Sequence, residues 1–363
     1  MRVATFVATT ALLGACGQAA AEPASTTLAP STTSSTPTTL APPTTVTTPA
    51  TTTTTTIGVT VPSPPERGRL VIHAVGDVNF DPGHNAIFGH TGYESPWAGL
   101  RGIFQRDHLT IVNLECSPST LGSPIEKEWQ FRCPLAALAP MRAAGVDVAS
   151  LANNHAGDMG RAALVDGREN LSAYGIHPVG AGSDLVEANL PAIFEIEGWR
   201  VAVVGFSGIS GGGAWFAGPG RPGVAPATAD NVTAAIAAAA AQADVVIVTV
   251  HWGVELTAQP TSGDRMRAQA MIDAGADAIV GHHPHRLQPL EVVDGVPVFW
   301  SMGNFVWPSL GPIIATTGVA EIVIEPDGSV VGRLIPAYIV THGHPELRGS
   351  PDPSLLPDRS AVE

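Results

Sequence analysis

The sequence predicts an α/β domain set behind a disordered stalk, and three observations carry that expectation. From residue 70 onward, short apolar runs alternate with stretches of helical spacing, the pattern of parallel strands joined by helices. Late in the chain, apolar runs at 296–300, 319–324 and 330–335 follow one another without a helix between them, which points to an added antiparallel section. Before residue 68 the chain is dominated by Thr, Pro, Ser and Ala, a composition with too little apolar surface to bury a core.

The N-terminus has the form of an export signal. Met1-Arg2 is followed by an apolar segment, residues 3–15, too short to span a bilayer. It ends in Leu13-Gly14-Ala15-Cys16, which resembles the lipobox of bacterial lipoproteins. That likeness implies a lipid on Cys16, attachment to the membrane through that anchor, and an extracytoplasmic location. The alternative is an ordinary signal peptide cut after another small residue. The stalk, residues 17–67, would reach ~40 Å as a random coil and ~150 Å if fully polyproline-like, enough to lift a domain off a membrane. The expected organisation is therefore a signal over residues 1–16, a linker over 17–67, a folded domain over 68–345 and a tail over 346–363.

Charge narrows the partners. With 18 Lys and Arg against 32 Asp and Glu, the 363-residue chain carries a net charge of −14. That disfavours nucleic acid and anionic membrane surfaces as partners through bulk electrostatics. In an exported chain, Cys116 and Cys133 form an even pair that suggests a disulfide. Thiol metal ligation is the weaker alternative, since no Cys-x-x-Cys spacing occurs.

Six apolar runs are expected as strands: 70–75, 108–112, 146–151, 200–206, 245–250 and 278–280. Helices are expected over 135–144, 161–174, 230–243 and 265–274, with Asp230 as an N-cap and Gly275 as a stop. Five of the six strand exits deliver a side chain able to bind a metal: Asp77, then Glu115, then Asn154 with His155, then His251, then His283 with His285. In open α/β sheets ligands bind outside the carboxyl ends of the strands, so these exits converge. Any one of them alone reads equally well as a polar loop residue. Two carboxylates, an amide and three imidazoles exceed the needs of one tetrahedral zinc and fit a pair of divalent ions, of manganese, iron or zinc, bridged by a carboxylate. Such a pair lowers the pKa of a water and polarises the bond it attacks, while a further histidine protonates a leaving group or stabilises developing charge.

The ordered blocks Asp77-Val78-Asn79, Asn113-Leu114-Glu115, Asn153-Asn154-His155, His251-Trp252-Gly253, Gly281-His282-His283-Pro284-His285 and Ser301-Met302-Gly303-Asn304-Phe305 resemble the CapA family of capsule and poly-γ-glutamate synthesis proteins, within the calcineurin-like metallophosphoesterase superfamily. The resemblance spans about residues 70–341. It implies a four-layer α/β/β/α sandwich in which Asp77 and His285 hold one metal, Glu115 bridges, and Asn154, His251 and His283 hold the other. His155 would be the transition-state histidine. Asn79 stands where the superfamily usually has histidine, and Glu115 replaces a bridging aspartate, so tight binding of the first metal does not follow from the resemblance. Asn79, His282 and Asn304 are candidates for the pocket. His282 reads first as a support for its neighbours, Asn304 first as a turn cap, and Trp252 as a packing residue. Gly211-Gly212-Gly213 with Trp215 and Phe216 reads as a lid or as a plain loop.

Three functions are compatible with these residues. One is a membrane-anchored metal-dependent hydrolase acting on an envelope polymer or a phosphoester. Another is a non-catalytic metal- and polymer-binding component of a capsule or poly-γ-glutamate synthase complex. The third, a purely structural envelope protein, leaves the ligand constellation without a role.

Overall fold

The structure is a computed structural model in which residues 66–209 and 215–349 are described. The export signal with Cys16, the stalk up to residue 65, the glycines at 211–213 and the tail beyond 349 lie outside the described residues. In chain order the first eight strands are β1 (Leu70–Val78), β2 (Leu109–Leu114), β3 (Val148–Ser150), β4 (His177–Val179), β5 (Ala181–Gly182), β6 (Ala192–Ile196), β7 (Trp199–Ser207) and β8 (Gly223–Val224). Then come β9 (Val245–His251), β10 (Ala278–His282), β11 (Leu290–Val293), β12 (Val296–Phe299), β13 (Asn304–Val306), β14 (Thr316–Ile324), β15 (Val330–Thr341) and β16 (His344–Leu347). The helices are α1 (Phe88–Thr91), α2 (Ser95–Ala98), α3 (Leu138–Ala143), α4 (Arg161–Ala173), α5 (Leu185–Ala188), α6 (Ala229–Ala240), α7 (Ser262–Asp273) and α8 (Pro312–Ala315).

Two large sheets result. The eight-stranded sheet runs β16-β15-β14-β1-β2-β3-β4, with β13 parallel to β1. The six-stranded sheet runs β11-β12-β10-β9-β7-β6. Alternation along the central strands explains the stacking. Leu70, Ile72 and Ala74 of β1 share a core with Val245 and Ile247 of β9 and with Ala278 and Val280 of β10, so the two sheets face one another. The intervening residues point outward. Val75 joins Leu138, Met141 and Leu164 beneath the helices on one side. Val246, Val248 and Val250 join Val232, Ile236 and Met271 of α6 and α7 on the other. Strands apolar on both faces must be covered twice, which gives a four-layer α/β/β/α sandwich.

The expected late antiparallel section is present as β14 and β15, with β14 antiparallel to β1. The run at 296–300 divides differently: β12 is parallel to β10 and antiparallel only to β11. Two helix starts differ from expectation. Asp230 lies inside the first turn of α6, whose N-cap is Thr228. Helix α7 begins three residues earlier than the spacing predicted, at Ser262, because Thr261 and Asp264 close a capping box there. The domain also reaches slightly past its expected ends. Arg67 stacks over Trp199 at 4.1 Å and pairs with Asp244, while β16 runs to Leu347. Trp215 lies beneath the Arg161 guanidinium at 4.7 Å and Phe216 packs on the core. Trp252 is buried against Trp300, its ring donating to the Trp300 carbonyl at 3.0 Å, and so packs as expected.

Candidate metal centre

The parallel strands of both sheets end at one edge, and the metal-competent residues gather there. Several sit within the strands rather than just beyond them. Asp77 belongs to β1, and His251 and His282 are the last residues of β9 and β10. Asp77 is brought level with Asn304 by the parallel β1–β13 pairing. That pairing needs Gly76, since a Cβ there would collide with the Gly303 carbonyl oxygen. Gly281 likewise lets β10 approach the Trp300 carbonyl oxygen. Beyond it the chain turns through Pro284 with His283 at φ 94° and His285 at φ 51°, two non-glycine residues in the left-handed region. Such backbone costs about 1–3 kcal/mol per residue and persists where surrounding structure enforces it, typically at functional sites.

Glu115 lies at the middle of the cluster. Its carboxylate Oε1 is 3.4 Å from His251 Nε2, 3.9 Å from His285 Nε2 and 4.0 Å from His155 Nε2. His251 Nε2 is also 2.7 Å from Asn154 Oδ1 and 3.2 Å from His283 Nδ1. Asp77 Oδ2 is 3.1 Å from His285 Nδ1, which also meets Asn304 Oδ1 at 2.8 Å. Two sets of three residues have ligand atoms all within 4.8 Å of one another: Glu115 with His283 and His285, and Asp77 with Glu115 and His251. Glu115 is common to both. These triads cut across the partition of ligands that the family resemblance implies, although the same residues are involved.

Of the three pocket candidates, Asn304 holds His285, accepting at one end and donating to its carbonyl at 3.3 Å from the other. His282 is buried with its Nδ1 3.6 Å from Asp77 Oδ1, and neither ring nitrogen has a hydrogen-bond partner. Asn79 accepts the Asp81 N–H on its Oδ1 at 2.8 Å. The remaining pair, Cys116 and Cys133, is disulfide-bonded with Cα atoms 5.5 Å apart.

Burial dominates the electrostatics. Glu115 is pushed well above the usual carboxylate range, first by burial and then by the Asp77 charge, and both of its oxygens lack a hydrogen-bond partner. His251 falls well below the usual imidazole value through burial and the neighbouring histidines. His282 and His283 drop to about 4, chiefly by burial. His285 goes the other way. Burial would lower it, but Glu115 and Asp77 raise it to about 10. The neutral imidazoles of His251 and His283, facing two buried carboxylates, are donors a divalent cation requires, and His285, which those carboxylates hold protonated, would release its proton on binding such an ion.

A family model described as bacterial capsule synthesis protein PGA_cap matches residues 71–309, the span that contains every one of these ligands. The chain belongs to this capsule synthesis family. It is 33% identical over 237 residues to the PGA biosynthesis protein CapA of Bacillus subtilis (strain 168), a match covering 64% of this chain and 62% of that one. It is 32% identical over 217 residues to the capsule biosynthesis protein CapA of Bacillus anthracis, covering 59% and 51%. The chain thus spans between half and two thirds of the length of these relatives. Among solved structures, a novel phosphatase from Mycoplasma pneumoniae aligns with TM-score 0.48 at 16% identity, over 80% of this chain and 96% of that one.

Within this PGA_cap domain, several residues of the site were missed in the sequence. Asn113 donates to Asp77 Oδ1 at 2.8 Å and lies 3.3 Å from His251 Nδ1, orienting two candidate ligands. Asn153 donates to Asn113 Oδ1 and to the Leu114 carbonyl, and accepts from the His155 N–H. Both amides stand inside blocks already singled out, so the signal was their adjacency to ligands. Asp158 accepts from His155 Nδ1 at 2.7 Å, and the His-x-x-Asp spacing was its available signal. Lys127 and Phe131, which also reach His155, carry no local signal.

Proposed function

We propose that this chain is a metal-dependent hydrolase of capsule or poly-γ-glutamate synthesis, held outside the cell membrane by a lipid on Cys16. The observation that carries the reading is Glu115: a buried carboxylate with no hydrogen-bond partner, ringed by His251, His283 and His285 and shared by two ligand triads. Asp77, Glu115, Asn154, His251, His283 and His285 would hold two divalent ions of manganese, iron or zinc. When bound, such ions supply a water of lowered pKa and a polarising charge for the bond it attacks.

The chain's own residues supply orientation and proton handling. Asn113 and Asn304 fix Asp77, His251 and His285. His155 turns Nδ1 to Asp158, leaving the Nε2 lone pair directed into the cluster, where it can take up a proton and pass it to a leaving oxygen or, once protonated, stabilise charge on it. The Cys116–Cys133 disulfide supports an oxidising, extracytoplasmic location. At a net charge of −14 the chain repels a polyanion at long range, but salt screens that beyond about 8 Å, so an anionic polymer or phosphoester would be captured locally by the metals.

A second reading is favoured by Asn79, which stands where the superfamily usually has histidine and turns its oxygen to the Asp81 N–H. A site short of that ligand would bind metal and polymer within a synthase complex without cleaving. Hydrolysis of a generic phosphodiester and of poly-γ-glutamate, measured with metal content for wild type and His155→Ala, separates the two. Turnover abolished in the variant with metal retained supports the hydrolase. Metal without turnover in the wild type supports the binding role.

A further inference from the structure

The segment between Cys116 and Cys133 leaves the site directly after Glu115 and returns to it at three points. Its ends are tied by the disulfide and by backbone bonds between Ser117 and the Phe131 and Cys133 peptides at 2.9 and 3.0 Å. The Ile125 N–H bonds the Asp158 carbonyl at 2.9 Å. The Phe131 ring stacks on His155 with centroids 4.2 Å apart, and the Phe131 N–H donates to Asp158 Oδ2 at 2.7 Å. Lys127 completes the enclosure, its ammonium donating to Asp158 Oδ1 and to the Asn154 carbonyl, each at 2.7 Å, and lying 3.1 Å from His155 Nδ1.

We propose that Lys127, delivered by this disulfide-closed loop, is a positioning residue that fixes the orientation and tautomer of His155 through Asp158; the proposal rests on the hydrolase reading above. Asp158 is fully buried, and Lys127 leaves only 12% of its side chain exposed. A carboxylate so placed must be matched by donors on both oxygens. Lys127 takes Oδ1, while Oδ2 receives the Phe131 N–H and faces His155 Nδ1. With Oδ1 occupied by the lysine, the carboxylate cannot rotate away from the imidazole, and the proton of His155 is held on Nδ1. Nε2 is thereby kept bare and aimed at the Glu115 carboxylate 4.0 Å away. Phe131 covers the ring face, so neither a flip nor a tilt of the ring is free. The same ammonium ties the Asn154 carbonyl and so links the candidate ligand to the histidine next to it. A lysine committed to two oxygens at this depth serves geometry; it is not a free cation waiting for an anionic polymer.

The test uses the whole chain with Lys127→Met and Lys127→Arg. For Lys127→Met, kcat should fall about 10- to 100-fold with KM and metal content unchanged, the scale typical of residues that orient a metal-site group. Lys127→Arg should restore most of the loss, since a guanidinium can donate to the same two oxygens. A second readout needs no turnover: the imidazole nitrogen spectrum of His155, assigned by comparison with His155→Gln, should show Nδ1–H in the wild type and a tautomer mixture in Lys127→Met. A His155 signature unchanged in Lys127→Met overturns the proposal, as does an unchanged kcat. A raised KM with kcat intact also overturns it, since that assigns Lys127 to substrate. Wild-type protein without turnover contradicts the hydrolase reading alone and leaves the imidazole spectrum to decide this one.

Discussion

His73 sits in the middle of β1, buried, on the face turned away from the second sheet. Its Nδ1 meets Asp107 Oδ2 at 2.8 Å and its Nε2 lies 3.6 Å from Glu321 Oε2 across the β1–β14 pair. Burial would lower its pKa, but the hydrogen bonds and charges of these two carboxylates raise it above 6.5. A raised folded-state value has a definite sign: the stabilisation is fully present below the unfolded pKa of about 6.5 and is lost as pH rises through the folded value. The difference in urea midpoint between wild type and His73→Gln should therefore shrink as pH is raised from about 6 to 9. A difference that grows with pH would contradict the pairing. At the same scale, residue type was legible where direction was not. Asp77, Glu115 and His251 announce themselves as metal-competent after apolar runs, and they converge. Asn113 could not be assigned, because an amide inside a strand reads as an ordinary polar residue until its neighbours across the sheet are known.

Among the elements, the central strands were legible because they are apolar on both faces, a consequence of lying between a second sheet and a helix layer. Short or edge strands were not. β4 spans three residues and contains Pro178, and β6 at the sheet edge is only partly buried, so neither displays a continuous apolar run. β13 is three residues long and is defined by its fit beside β1, not by its own pattern. The loop from Cys116 to Cys133 is a further case: polar in sequence and largely exposed, it is anchored by contacts with residues some thirty positions away. Its disulfide can be tested directly. Replacing both cysteines by serine should cost about 3 kcal/mol, the chain-entropy value for a loop of this size. Chemical denaturation reads it, and a change below about 0.5 kcal/mol would mean that the loop is held without the bond.

For the whole molecule, position and chemistry are separate claims. If a lipid on Cys16 anchors the chain, Cys16→Ser should move it from the membrane fraction to the soluble envelope or medium, with the folded domain unchanged by circular dichroism. Retention in the membrane fraction would remove the lipid anchor from the reading. The stalk and anchor were read from composition and a short motif, which describe what a segment cannot do, namely build a core, more securely than where it goes. The substrate was not legible at all, because the described site offers metal ligands and their supports but no group that names a polymer.

The most direct measurement is the metal content of the purified whole chain, wild type against Glu115→Ala, after dialysis from metal-replete buffer. About two divalent ions per wild-type chain are expected, falling to one or none in the variant, since Glu115 belongs to both ligand triads. Wild-type protein that retains no metal, or a variant that retains the full complement, would contradict the assignment of this cluster as a dinuclear centre.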